Sequence, residues 1–281
     1  MSRRRRLVGL ALAGGLLAAV LGGQSPPPLD DQEKNISERI GQLRSLPDEQ
    51  WTKSVGELAA EIQGLRSTRG KLLLVSKLGN LVTEGDAGQA TLQRVASTMA
   101  DLLRAMPNAQ LYATLAQLAH YEHCQVTLDS APYREALAKL QADDKRREAA
   151  DFRLRDLRGA EWSVKQLRGK VVMVNFWATW CPPCRKEMPD LEALHQRFGP
   201  RGLVILAISD EAVDKVSAFI HEKTYSYPIL LDPEHKAAEA FAVQGIPKTY
   251  VFDREGKLAA QAMDRRTERQ FLAMLKRAGL E

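Results

Sequence analysis

Two cysteines carry the reactive chemistry of this sequence: Cys181 and Cys184, in WCPPC at residues 180–184. The thiolate is the attacking form of cysteine, and a Cys-x-x-Cys pair beside a βαβ pattern reads as a redox dithiol. An apolar run, VVMVNFW (171–177), precedes the pair, and a helical stretch follows it. With Cys181 as N-cap, Pro182 takes the first helical position, where its missing N–H costs nothing and its fixed φ suits the helix. The Cys181 sulfur then faces the free N–H groups of the first turn, that of Cys184 included, at the positive end of the helix dipole. Such settings lower a cysteine pKa from about 8.5 to roughly 3.5–7.5. Cys181 is therefore the expected nucleophile, and Cys184, a turn deeper and less exposed, the resolving thiol. A zinc site needs two further ligands at metal spacing, and none follows. A disulfide across so short a loop has little entropic effect on stability.

The remaining cysteine, Cys124, lies in AHYEHCQ (119–125). His120 and Cys124 at i and i+4 share a helix face and could begin a metal site, although no fourth ligand is near. A small buried thiol beside surface histidines is the simpler reading, so no metal is expected.

Two textures surround these residues. Over 151–281, short apolar runs at 171–177, 203–208, 227–231 and 249–252 alternate with helical stretches at 182–198, 212–222, 235–241 and 267–278. Near-continuous apolar strands separated by helices describe an α/β sheet buried on both faces. DREG (253–256) reads as a hairpin turn, making the last two strands antiparallel. Pro189 should kink the helix after the dithiol by clashing with the Arg185 carbonyl. Over 30–150, apolar residues recur at helical spacing, as in Trp51, Val55, Leu58, Ile62 or Leu92, Val95, Met99, Leu102. Breakers at Pro47, Gly70, 85–88, Pro107 and Pro132 divide five or six helices, and Asp30 with Glu33 and Asp86 with Gln89 fit capping boxes. An irregular bundle and stacked hairpins both fit.

A chain of 281 residues, 44% hydrophobic, 27% charged and 6% aromatic, suits a two-domain globular protein and excludes collagen-like, wholly disordered and polytopic membrane classes. The net charge is +5, but Arg3, Arg4, Arg5 and Arg6 supply four of it. Nothing in the balance argues for a nucleic-acid partner. Those arginines and the uncharged run at 7–23 have the order of an export signal. The run is longer than a usual h-region of roughly 7–15 residues and shorter than a comfortable span of about 20, so 1–24 reads as a cleaved signal or an inner-membrane anchor. The prolines of 25–29 then form a stiff linker.

NFWATWCPPCRKEMP (175–189) and GIPKTYVFD (245–253) closely resemble the TlpA/ResA-like branch of the thioredoxin superfamily, exported and often membrane-anchored thiol-disulfide oxidoreductases. The resemblance covers about 152–281. It implies an α/β thioredoxin-like C-terminal domain, a central mixed sheet flanked by helices, preceded by an all-α domain at 30–150 that matches no named family. Ile246-Pro247 matches the cis-proline loop facing the dithiol. Glu187 matches an acidic residue able to exchange a proton with Cys184; the plainer reading is a solvent-facing glutamate paired with a neighbouring base. Asn175 stands where ordinary thioredoxin carries a buried Asp. Trp180, Pro182, Pro183, Ile246 and Pro247 form the implied docking surface, while Trp177 is either part of its rim or core.

The implied activity is reduction of disulfides in exported periplasmic or envelope proteins. Electrons come from a membrane thiol carrier, and no cofactor is needed beyond the Cys181-Cys184 disulfide. Three alternatives remain: an oxidase or isomerase using the same dithiol; a peroxide-reducing enzyme, disfavoured because P-x-x-x-T-x-x-C is absent; and an adaptor whose helical domain binds the partner protein.

Overall fold

Asp30 caps the first helix, as the sequence predicts. Its carboxylate accepts the Glu33 N–H at 2.8 Å, and Glu33 Oε2 accepts the Asp30 N–H at 3.0 Å, closing a capping box on α1 (Asp31–Gln42). The computed structural model describes residues 28–281. The signal-or-anchor reading of 1–24 and most of the 25–29 linker lie outside the described residues. No described helix is long and apolar enough to cross a membrane.

After α1 come α2 (Asp48–Gly64), α3 (Thr68–Gly79), α4 (Gln89–Ala105), α5 (Ala109–Tyr121) and α6 (Ala131–Ala149). The residues at helical spacing, among them Ile36, Ile40, Val55, Leu58, Val95 and Met99, are buried in one apolar core. Packing is dominated by neighbours and next-neighbours in chain order, so the helices form a sequential array.

Three expectations fail locally. Gly70 does not separate helices: it sits in the first turn of α3, where its N–H donates to the Ser67 cap at 3.0 Å. A Cβ there would stand 1.8 Å from Glu33 Oε1, so any larger residue would have to displace the carboxylate that closes the capping box of α1. Asp86 and Gln89 form no capping box; Gly88, at φ 75°, is the cap of α4, and the Asp86 carboxylate accepts the Gly88 N–H at 3.2 Å. His120 and Cys124 share no helix face, because α5 ends at Tyr121 and His123 turns the chain through φ 56°. His120 Nε2 lies instead 2.6 Å from Asp144 of α6, and burial pushes the Cys124 thiol up to about 12.

The second half opens with a short hairpin, β1 (Leu154–Arg155) and β2 (Glu161–Trp162), too brief to show a period in sequence. There follow β3 (Val171–Phe176), α7 (Pro182–Phe198), β4 (Leu203–Ser209), α8 (Val213–His221), β5 (Ile229–Leu231) and α9 (Lys236–Ala240). The chain ends with β6 (Lys248–Phe252), β7 (Leu258–Ala262) and α10 (Glu268–Arg277). The five-stranded sheet has the order β5-β4-β3-β6-β7. β3, β4 and β5 are parallel, and β6 and β7 antiparallel, as the DREG turn requires. This is a thioredoxin-like fold, a mixed sheet flanked by helices. All six residues of β3 are buried. Val171 and Met173 enter one core and Val172, Val174 and Phe176 the other, which explains the unbroken apolar run. α7 continues through Pro189 to Phe198.

The halves meet at the loop between β7 and α10 and at the first turn of α10. Asp264 accepts the Thr83 hydroxyl at 2.6 Å, Arg265 pairs with Asp48 at 3.0 Å, Arg266 with Glu122, and Arg269 with Asp86. The Arg266 and Glu122 side chains are only 4% and 10% exposed. Breaking a buried pair strands a charge, whereas exposed pairs contribute little. Glu122→Ala should therefore cost about 3–5 kcal/mol in urea denaturation, against at most about 1 kcal/mol for Arg44→Ala, whose side chain is 71% exposed beside Glu84. Equal losses would mean that the Arg266 charge is solvated.

Candidate active site

The chain leaves β3 at Phe176, and the Trp177 N–H still donates to Ile208 O at 3.0 Å. Thr179 is then tied down by Glu211, which accepts its backbone N–H and, at 3.0 Å, its hydroxyl. The sequence pattern does not point to Glu211, which lies just past the end of β4. Cys181 is the N-cap of α7, with extended backbone (φ −89°, ψ 102°) and Pro182 first in the helix. The Cys184 N–H donates to Cys181 Sγ at 3.3 Å, the arrangement expected from WCPPC. The two cysteines form a disulfide, with Cα atoms 5.3 Å apart. Cys181 is 3% exposed and Cys184 fully buried, so the outer sulfur is the one an incoming group reaches.

Trp180, 63% exposed, stands beside the dithiol, whereas Trp177 is buried against Phe219, ring centroids 5.6 Å apart. The core reading of Trp177 therefore holds, although its ring also lines a hollow of about 220 Å³ with Trp180 and Ile246. The Ile246-Pro247 bond is cis and leads straight into β6. Pro182, Pro183, Ile246 and Pro247 line one cleft of about 600 Å³. The structure thus brings the anticipated docking residues of both segments together.

Glu187 is not a solvent-facing glutamate, being 1% exposed. Asn175 Nδ2 donates to its Oε1 at 2.8 Å and to Thr249 Oγ1 at 3.0 Å, while the Arg266 N–H donates to Oε2 at 3.1 Å. Burial pushes its carboxyl up to about 7, opposed by the Arg266 and Asn175 hydrogen bonds and by the charges of Arg265 and Arg266. Three residues beyond Cys184 on α7, it can hold a proton close to the inner sulfur near neutral pH. Lys248, which spacing does not single out, follows Pro247. Its Nζ lies 5.2 Å from the Tyr250 ring centroid and 6.0 Å from that of Tyr121 in α5. Burial first, then Arg147, pushes its ammonium down to about 7.

The shift at Glu187 has a signed effect on stability. Its folded pKa of about 7 lies above the ordinary 4.5. Between those values the folded protein holds a proton that the unfolded chain has released. Stability should therefore fall as pH rises through that window, by on the order of 3 kcal/mol. Glu187→Gln mimics the protonated form, so the wild-type-minus-variant difference in urea stability should drop between pH 4.5 and 7. A flat difference would mean that Glu187 is ionised in the fold.

Residues 146–261 match the family model described as the AhpC/TSA family. The thiol-disulfide oxidoreductase ResA of Bacillus thuringiensis is 33% identical over 132 residues, spanning 47% of this chain and 76% of that protein. The thioredoxin-like protein YneN of Bacillus subtilis is 37% identical over 113 residues, 39% of this chain and 65% of its own. Among solved structures, a thioredoxin-family thiol:disulfide interchange protein from Chlorobium tepidum is 30% identical and covers 46% of this chain and 93% of its own, with a TM-score of 0.42. At 33% identity over 76% of ResA, with the Cys181-Cys184 pair inside its thioredoxin-like half, this chain belongs to the ResA thiol-disulfide oxidoreductases.

Proposed function

We propose that this oxidoreductase works as a reductase of disulfides in specific exported periplasmic or envelope proteins. The observation carrying that reading is the asymmetry of the dithiol: an outer sulfur at a helix N-terminus, and an inner one a turn from a buried carboxyl able to hold a proton.

The Cys181 thiolate attacks one sulfur of a partner disulfide, whose other sulfur leaves as a thiolate, and a mixed disulfide forms. Cys184 then gives its proton to the Glu187 carboxylate and attacks Cys181 Sγ. The partner sulfur bonded to Cys181 departs as a thiolate, and both electrons of the dithiol have moved to the partner. The product is the Cys181-Cys184 disulfide present in this structure. A membrane thiol carrier would return two electrons, and no further cofactor is needed. Trp180, Pro182, Pro183, Ile246 and Pro247 receive the partner. The basic start and apolar run at 1–24 support a site of action outside the cytoplasm, with the protein either released after cleavage or held by an inner-membrane anchor. Peroxide chemistry fits poorly, because Val174 and Ala178 occupy the Pro and Thr positions of a P-x-x-x-T-x-x-C pattern ending at Cys181.

Cys184→Ser should trap partners as mixed disulfides through Cys181, visible on non-reducing gels and identifiable by mass spectrometry, while Cys181→Ser traps none. Glu187→Gln should shift the titration of reduced Cys184 and slow turnover, with little effect on Cys181. The reading is overturned if nothing is trapped and the purified protein also leaves a simple disulfide unreduced. A potential in glutathione titration as oxidising as a disulfide donor's would instead assign the oxidase direction.

A further inference from the structure

The 600 Å³ cleft beside the dithiol has two unrelated walls. Pro182, Pro183, Ile246 and Pro247 belong to the thioredoxin-like half. Leu46, at the end of the first helical turns, and Trp51, on α2, face them from the helical half. The cleft and the 220 Å³ hollow lined by Trp180 share Ile246, so the two adjoin at the cis-proline segment. The Trp51 ring is backed by the α3–α4 connection: a Cβ at Gly85 would stand 3.0 Å from it, a tight contact that glycine avoids.

Six charged residues rim this cleft, three of each sign, and each is engaged within the protein. Arg44 pairs with Glu84, Asp48 with both Lys186 and Arg265, and Asp264 accepts the Thr83 hydroxyl. The rim therefore has no net charge, and among its six charges only that of Asp264, held by a neutral hydroxyl, is not set against an opposite one in these contacts. An acidic side chain entering the cleft would lose its hydration without gaining a partner or would have to break one of these pairs, and a basic one would find only Asp264 outside them. An apolar side chain gains from burial against Leu46, Trp51 and Ile246.

We infer that the helical half selects the substrate: with the Pro182-Pro183 and Ile246-Pro247 segments it forms a cleft that receives an uncharged, apolar segment flanking the target cysteine of a partner protein. This rests on the proposal that Cys181 attacks partner disulfides, and it adds which sequence around the disulfide is accepted and which residues decide.

The test uses the reduced full chain and three synthetic peptides. Each has one cysteine in mixed disulfide with thionitrobenzoate, flanked by Ala, Val and Leu, by Asp and Glu, or by Lys. Rates are normalised to those on bis(2-hydroxyethyl) disulfide, which is too small to fill the cleft. The apolar-flanked peptide should show a kcat/KM at least about tenfold above both charged ones. Leu46→Asp should bring the three within about twofold. Arg44→Glu, a surface change suited to the case where Leu46→Asp fails to fold, leaves the rim at −2 and should favour the Lys peptide over the acidic one by at least about fivefold. Equal wild-type rates on all three peptides, a preference for either charge, or retention of the wild-type ratios in both variants would overturn the inference. Failure of wild type on every disulfide, the small one included, would instead overturn the reductase reading and this inference with it.

Discussion

A carboxyl group sealed inside the protein sets the terms for the rest of the site. Glu187 is held between Asn175 of β3 and the backbone N–H of Arg266, in the loop after β7. Burying a carboxylate without full compensation raises its pKa, and two hydrogen bonds with two nearby arginines fall short of restoring it. Protonated and ionised forms are therefore close in free energy near neutral pH, the condition for efficient proton transfer to and from a thiol. Moving Arg266 away would remove one of the two donors.

What holds Arg266 comes from the other half of the chain. Its guanidinium is paired with Glu122, just past α5, and its neighbours Arg265 and Asp264 are engaged by Asp48 and Thr83. The helical half thus fixes the loop that in turn fixes Glu187. The same contacts seat Leu46 and Trp51 opposite the cis-proline segment. One junction therefore supports both the proton-holding group and the second wall of the cleft.

The parts of this arrangement legible in sequence are those that depend on near neighbours or on period. The unbroken β3 run, the Cys181 cap with Pro182 behind it, and the helical spacing through α2 and α4 are local patterns, and the structure contains each of them. Pairing of Ile246-Pro247 with the dithiol came through family resemblance, since spacing alone does not bring residues so far apart together. Glu211, Arg266 and Asp48 stayed hidden for a related reason: their partners lie 32, 79 and 217 residues away. A charged residue reads as solvated surface until the fold supplies its partner. The errors at Gly70 and at His120 with Cys124 arose differently. Each assumed where a helix begins or ends, and a close approach to Glu33 and the left-handed turn at His123 decided otherwise.

These contacts also bear on whether the helical half is a detachable adaptor. An adaptor on a flexible tether would touch its enzyme through few specific bonds, and its loss would leave the chemistry untouched. Here α6 ends at Ala149 and β1 begins at Leu154, leaving only a short connection. Glu148 accepts the Leu258 N–H at 3.0 Å, Arg147 donates to Phe241 O at 3.2 Å, and Lys248 beside the cis-proline segment lies over Tyr121. Contacts from α2, α5 and α6 therefore reach both sheet edge and reactive loops. The relative with 33% identity matches only 47% of the chain, so a thioredoxin-like half can be shared while its surroundings differ. In this protein side chains of the helical half, Asp48, Glu122 and Glu148 among them, bond directly to the thioredoxin-like half, so removing residues 30–150 would strip partners from Arg265, Arg266 and Leu258.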